Sequence, residues 1–597
     1  MSHWSAISCV LRGTTCTAYD YVIVGGGLSG LVVSNRLTED PKKTVLVIEA
    51  GVLIPDDKEE QVLVPALIGA TGKTYDWNIT TQPIPGLNNR TFPVSSAKVV
   101  GGGTVINGMF FDRGSMWDYD SWELLGNEGW NWEGLEPYFK KSETYTPPPP
   151  ESGIEYDPTT HGFSGPVHVS YPNFLYPQLK SIMKAWQDFG IPIPRDGNNG
   201  NAIGGFWVPN SLDPRDETRS FAKTAYHDVS KKRSNYHLIA GRQVTKILFD
   251  SNKRATGVIV LSLALFQAGP SGKPHQVNAN AEVILAAGAV HTPKLLQLSG
   301  IGPAALLKQH GIPILNELPG VGSNFQDHPT VFLNYNVTIE PFPTRSKLIS
   351  NATFNAEMIA LYRANRTGPY TVSSGNTASF LPLPLIAPDS YRNLLDAAEK
   401  EGNYLDQGVP PEVIKGFEKQ KTILLETFGT MHAGVDEFIV SFNVAPLVAL
   451  QKPLSRGYIE IASTNPFDDP IVEYRALSNP LDVHIMVAAL EYGRAFMASP
   501  GMALFSPIET TTAGMTAEEL EAYVRATGTP TFSHPSCTCP MMPLEIGGCV
   551  DEKLRVHGVK GLRIVDASVF PLIPATHLMS SVYAVAERAA DIIKGLV

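Results

Sequence analysis

Tyr21 to Val24 form a short apolar run that stops at Gly25, the pattern of a buried strand. Leu31 to Leu37 resumes an apolar pattern of helical spacing, and Val45 to Ile48 is a second unbroken apolar run. Strand, helix and strand this close together predict a βαβ unit. Asp436 to Asn443 and Gly457 to Ala462 alternate apolar and polar positions and predict antiparallel strands. Near the C-terminus, KGLRIVDASVF reads as a strand and SSVYAVAERAADIIKGL as an amphipathic helix. Residues 330 to about 440 are mixed polar and aromatic sequence, with Pro and Gly scattered through. The run Pro147 to Pro150 is a stiff, extended connector. No internal repeat is evident.

The turn between the first strand and helix carries Gly25, Gly27 and Gly30 at the spacing GxGxxG. Glycines there permit a tight turn and close backbone approach, so a pyrophosphate can rest on the helix N-terminus, where N–H groups lack partners. Glu49, 19 residues past Gly30, closes the second strand and can accept a hydrogen bond from an adenosine ribose. A bare GxGxxG is a weak signal that any tight turn can mimic. Strand, glycines, helix, strand and acid in this order are specific for a dinucleotide. A second glycine run, Gly101 to Gly103, lets backbone N–H groups approach an anion or a ring.

At 597 residues and 43% hydrophobic, the chain exceeds one ordinary domain and can fill a large core. The net charge of −11 disfavours nucleic acid, and Lys231-Lys232-Arg233 is too short a basic run to change that. No apolar stretch reaches the ~18–20 residues of a membrane span. The N-terminus MSHWSAISCVLRGTTC lacks the charged start and long apolar core of a secretory signal. Five N-x-[ST] sequons, at Asn78, Asn89, Asn336, Asn351 and Asn365, point the other way, toward a secretory or vacuolar route. Compartment and oligomeric state stay open. Cys9 and Cys16 precede the first strand, and Cys537, Cys539 and Cys549 cluster near His534. C-x-C without a second knuckle does not make a zinc site, so small buried thiols are expected and no metal.

Five blocks carry a family resemblance: residues 19–51, SSAKVVGGGTVINGMFFDRGS at 95–115, GAVHTPKLLQLSGIG at 288–302, GVGSNFQDHP at 320–329, and the segment 534–593 beginning HPSCTCPMM. In this order they resemble the glucose–methanol–choline (GMC) oxidoreductases across nearly the whole chain. The last block is worded most like fungal members acting in polyketide metabolism. The resemblance implies an α/β fold, α+β overall. A Rossmann-like FAD-binding domain (19–130, 215–329 and 534–597) would be interrupted by a substrate-domain and lid segment (131–214) and an antiparallel-sheet substrate-binding domain (330–533).

It also implies FAD as cofactor. Gly25, Gly27, Leu28, Ser29, Gly30, Glu49 and Ala50 would hold the ADP half, and Val244 would meet the adenine through its backbone. Gly103 and Asn107, Gly108, Met109 and Phe110 would follow the flavin and its phosphates, with Ala567, Leu578 and Met579 near the isoalloxazine ring. His534 and His577 match the two catalytic positions. His534 would take the hydroxyl proton, with His577 as its partner, while the α-hydrogen leaves as hydride to flavin N5, a task suited to imidazole. His291, His328 and His557 lie in scaffold motifs and read as structural. The expected partners are a small alcohol substrate and O₂ or another electron acceptor.

Two departures matter. Sugar-oxidising relatives place an Arg and an Asn before the first catalytic His, where this chain has Pro530, Thr531, Phe532 and Ser533. A pocket without that clamp favours an aromatic or polyketide-derived alcohol. Cys537 stands where many relatives have glycine and could crowd the flavin face. The rival readings are a non-redox cyclase or lyase keeping FAD structurally, and a sugar oxidase or dehydrogenase.

Overall fold

The computed structural model describes residues 18–55, 59–263, 270–339 and 342–597. Cys9, Cys16 and the N-terminal patch lie outside them. In chain order, the elements that build the site are β1 (Tyr19–Val24), α1 (Leu28–Leu37), β2 (Val45–Ile48), β3 (Gly204–Trp207), β4 (Tyr236–Ile239), β5 (Arg242–Phe249), β6 (Ala255–Leu263), β7 (Pro270–Leu285), α2 (Gly288–Leu298), β8 (Thr330–Phe332), β9 (Thr377–Leu381), β10 (Asp436–Val440), β11 (Pro446–Leu450), α3 (Pro480–Met497), β12 (Leu562–Ile564) and α4 (Met579–Lys594).

The first sheet runs β4-β2-β1-β7-β6-β5, with β12 also paired to β7. Its centre is parallel: Val24 lies beside Ile48 and Leu285, and Leu285 beside Ile564. Such strands are covered on both faces, which is why they read as unbroken apolar runs; Val22, Ile23 and Val45 to Ile48 are almost fully buried. Strand β7 is long enough to do two jobs. Its first half pairs antiparallel with β6, and its second half continues parallel to β1 and β12. Arg36 of α1 bridges to α4 through Asp591 (2.7 Å) and Glu587, so the first and last helices are tied by buried charge.

The second sheet, β8-β11-β10-β9-β3, is antiparallel throughout. The α/β fold with a separate antiparallel sheet is the class the sequence implies. Helices Ala352–Asn365, Tyr391–Lys400 and Pro411–Phe428 were not foreseen. Apart from Gly416, inside the third helix, the Pro and Gly residues that made this stretch look irregular, such as Gly402, Gly408 and Pro410, fall between these helices or at their starts. Pro there sets the first-turn backbone angle and forgoes an N–H that has no helical partner anyway.

Candidate active site

Strand β1 ends at Gly25, whose backbone is left-handed (φ +108°) and where a Cβ would meet the Ala286 carbonyl at 2.2 Å. Only glycine turns the chain there. Helix α1 opens at Leu28 without a side-chain cap, so its first amides have no helical acceptor and face a cavity. Glu49, at the end of β2, is buried beside this turn. Its Oε2 accepts the Gly26 N–H (2.7 Å) and its Oε1 the Gly51 N–H (2.6 Å). Burial pushes the Glu49 carboxyl above its ordinary range, while the two N–H donors and Lys98 pull it back. Glu49 therefore braces the turn itself, a role its spacing did not announce.

The second glycine run forms a tight turn, Gly102–Val105, that interlocks with the first: a Cβ on Gly102 would lie 2.8 Å from Gly27 Cα. At Gly103 a Cβ would meet nothing within 4 Å, so this loop is open on the cavity side. One cavity of about 680 Å³ joins the two loops, and it is bordered by every position assigned to FAD or to catalysis from the sequence except Gly30. Gly30 is a correction. Its missing side chain serves packing, since a Cβ would sit 2.0 Å from the Gly25 carbonyl, and it does not reach the cavity.

At the far end of the cavity His534 and His577 face each other, rings near perpendicular (87°) and centroids 5.5 Å apart. His534 sits in a loop pinned by the buried Asp327, whose Oδ1 accepts the N–H groups of His534 (3.0 Å), Phe532 (3.2 Å) and His328 (2.7 Å). Thr531 Oγ1 donates to Asp327 Oδ2 (2.6 Å). His534 Nδ1 lies 2.9 Å from Nδ1 of His328, so His328, read from its motif as scaffold, touches the reactive pair. Burial and the neighbouring His577 charge push His534 down to about 3, against a smaller opposing pull from Asp112, and the ring borders the cavity.

His577 precedes α4 and is stacked on Phe110 (4.4 Å, 6°). Its Nδ1 lies 3.1 and 3.2 Å from the two oxygens of Asp112, and Glu437 Oε1 lies 3.8 Å from its Nε2. Burial alone would lower His577, but the two carboxylates outweigh it and hold the imidazole at about 9. Glu437 is itself pushed up to about 7 by burial, with His577 pulling down and Asp112 up. Two like rings are thus pushed in opposite directions, His534 toward the neutral form and His577 toward the charged one.

Asp112, Glu437, Asp327 and His328 were missed as site residues. Asp112 and the 327–328 pair sit inside motifs read for their neighbours. Glu437 had one overlooked signal: Asp436 and Glu437 are consecutive acids in a strand, so one must point inward.

Around the histidines the wall is apolar, with Leu179, Phe332, Ile439, Phe442, Leu447 and Phe532 lining it. Cys537 does not border the cavity. It takes the left-handed backbone (φ +72°) that suits glycine, at a cost of about 1 kcal/mol. Its thiol points into the interior, 3.3 Å from Ser536 Oγ and near Arg456. The crowding expected of it is absent. Cys539 and Cys549 are likewise buried free thiols. His291 borders the cavity but packs tilted against Trp77 (4.0 Å, 31°), and desolvation pushes its imidazole well below the ordinary histidine value. Among the described residues, no helix is long and apolar enough to cross a membrane.

Two GMC oxidoreductase family models match the chain, the N-terminal one over residues 19–330 and the C-terminal one over 453–586. The dehydrogenase xptC of Emericella nidulans is 37% identical over 98% of this chain and 94% of its own length. An FAD-dependent oxidoreductase from Chaetomium thermophilum superposes with a TM-score of 0.93 at 41% identity, covering 97% of this chain and 99% of that one. A fungal aryl-alcohol oxidase superposes at 0.89 with 36% identity, over 97% and 99% of the two chains.

Proposed function

The chain belongs to the GMC oxidoreductase family, and we propose that it oxidises an alcohol carried on a small aromatic or polyketide-derived metabolite, in fungal secondary metabolism. The enzyme is an FAD-dependent oxidoreductase. The site fits that cofactor: unpaired amides open α1, two glycine turns interlock where side chains would collide, and Gly103 leaves its side of the cradle free. When bound, FAD supplies the acceptor for the hydride leaving the carbinol carbon.

The observation that carries the reading is two imidazoles facing each other across one cavity with unlike partners, His328 behind His534 and the Asp112 carboxylate behind His577. Two facing Nδ1 atoms share a single hydrogen. When His534 donates it to His328, His534 Nε2 is a bare lone pair on the cavity side. Because His577 is charged, its Nδ1–H goes to Asp112 and its Nε2–H points outward as a donor. A substrate hydroxyl placed between them accepts from His577 Nε2–H and gives its proton to His534 Nε2. His534 is a weak base, and the adjacent imidazolium offsets that weakness by stabilising the alkoxide as it forms. Phe110 and Phe532 pack their rings against the pair. The dehydrogenase and aryl-alcohol oxidase likenesses, and the apolar wall, support an aromatic substrate.

The test is a substrate panel. An unpaired sugar hydroxyl in an apolar pocket costs about 1–3 kcal/mol. Two of them lower kcat/KM for glucose by at least ~30-fold relative to a primary aromatic alcohol. Comparable turnover of the two would defeat the assignment. At the opposite end of the cavity, Glu49→Ala removes a charged acceptor and a brace of the turn. Its expected effect is weaker FAD binding by on the order of 1.5–3 kcal/mol, measured by titrating apoprotein with FAD. Wild-type affinity in that variant would remove Glu49 from the cofactor site.

A further inference from the structure

Arg219 is nearly fully buried, and no carboxylate pairs with it among the described residues. Burial acts on it unopposed and pushes its guanidinium down to about 9. The buried Arg36 and Arg113 differ: Arg36 meets Glu587 and Asp591, and Arg113 meets Glu143. Burying a cation without a counter-charge is costly, so its place needs a reason. Its donors go to three oxygens. Nε reaches the Val62 carbonyl (3.0 Å), and Nη1 reaches the Thr104 carbonyl (3.1 Å) and Asn107 Oδ1 (2.7 Å).

A guanidinium can only donate, so the oxygen of the Asn107 amide must face it. The Met109 N–H points to the same oxygen (3.2 Å). The amide nitrogen is thereby turned the other way. There its protein partner is Met579 Sδ at 3.0 Å, a thioether that accepts only weakly. Asn107 and Met579 both border the cavity. An oriented amide donor, polarised by a buried cation and matched only to a sulfur, is set for a stronger acceptor arriving from the cavity.

We propose that Arg219 is a positioning residue for FAD, fixing the Asn107 side chain so that its NH₂ group donates to an oxygen or nitrogen atom of the cofactor. This rests on reading the cavity as the FAD site. Lysine cannot replace Arg219, because a single ammonium does not span three acceptors held in the geometry of a planar fork.

The test is a double-mutant cycle on FAD affinity, using holoenzyme and the fluorescence of FAD released on dilution. Arg219→Met and Asn107→Ala each raise the FAD dissociation constant roughly tenfold. The double variant binds no more weakly than Asn107→Ala alone, because Arg219 acts through that amide. Losses that multiply to roughly a hundredfold in the double variant overturn the proposal, since they make Arg219 an independent support of the fold. If Arg219→Met does not fold, Arg219→Lys takes its place in the cycle, and wild-type affinity in that variant overturns it equally. Glu49→Ala separates the two levels. If it weakens FAD while the Arg219 variant does not, the cavity reading stands and the role of Arg219 falls; if neither weakens FAD, the cavity reading falls first.

Discussion

His534→Ala lowers turnover by roughly 10²–10⁴-fold, the range lost when a positioned general base is removed. The loss falls on the rate per bound flavin. FAD content stays near that of the wild type, because the imidazole faces the substrate end of the cavity and the cofactor is gripped by the glycine turns at the other. A histidine that merely filled its loop would behave differently. Its removal would lower stability or folding yield and leave the rate per flavin intact. The loop has other anchors, since Asp327 still takes the backbone N–H groups of residues 532 and 534 and the Thr531 hydroxyl. The alanine variant is therefore expected to fold, and near-native turnover in a folded, FAD-loaded sample would remove His534 from the reaction.

Asp112→Asn moves the pH dependence of catalysis. His577 is held charged to about pH 9 by its two carboxylates, so kcat/KM is expected to stay level through neutral pH and fall as pH rises through about 9. Without the Asp112 charge the imidazolium loses its larger support, and the falling limb moves down toward the ordinary histidine value of ~6.5. At pH 7 about a quarter of the enzyme then keeps the charge that stabilises the alkoxide, so the rate drops roughly fourfold from this cause. Stability follows the same sign. A group whose folded pKa is raised contributes fully below its unfolded value, and that contribution disappears as pH climbs from about 6.5 to about 9. The Asp112→Asn substitution removes the Asp112 share of that contribution, so it destabilises most below about pH 6.5 and least above about 9. A rate profile whose limb does not move in this variant would show that His577 is not the group seen at high pH.

The cofactor end was legible in the sequence because its constraints are local. A strand of Val and Ile, a turn that only glycine can make, and an acid at the end of the next strand each leave a mark within a few residues. Gly30 shows the limit of such marks. GxGxxG identifies three glycines without telling which faces a ligand and which lets helix and strand touch. The substrate end was half legible. His534 and His577 were found through the motifs around them, but the partners that set their charge come from distant stretches. Asp112 precedes α4 by hundreds of residues, and Glu437 belongs to the second sheet. No periodicity links positions that meet only after both sheets have formed. The three helices between 352 and 428 were missed for a different reason: Pro and Gly at their boundaries resembled the texture of a loop.

The most direct test of an alcohol-oxidising site is anaerobic mixing of the FAD-loaded protein with a primary aromatic alcohol, followed by the visible absorbance of the flavin. The expected result is rapid bleaching, slowed when the carbinol carbon carries deuterium and slowed further by roughly 10²–10⁴-fold in His534→Ala. Product formation with the flavin colour unchanged and no isotope effect would contradict it, and would mark the same two histidines as acid and base of a non-redox cyclisation.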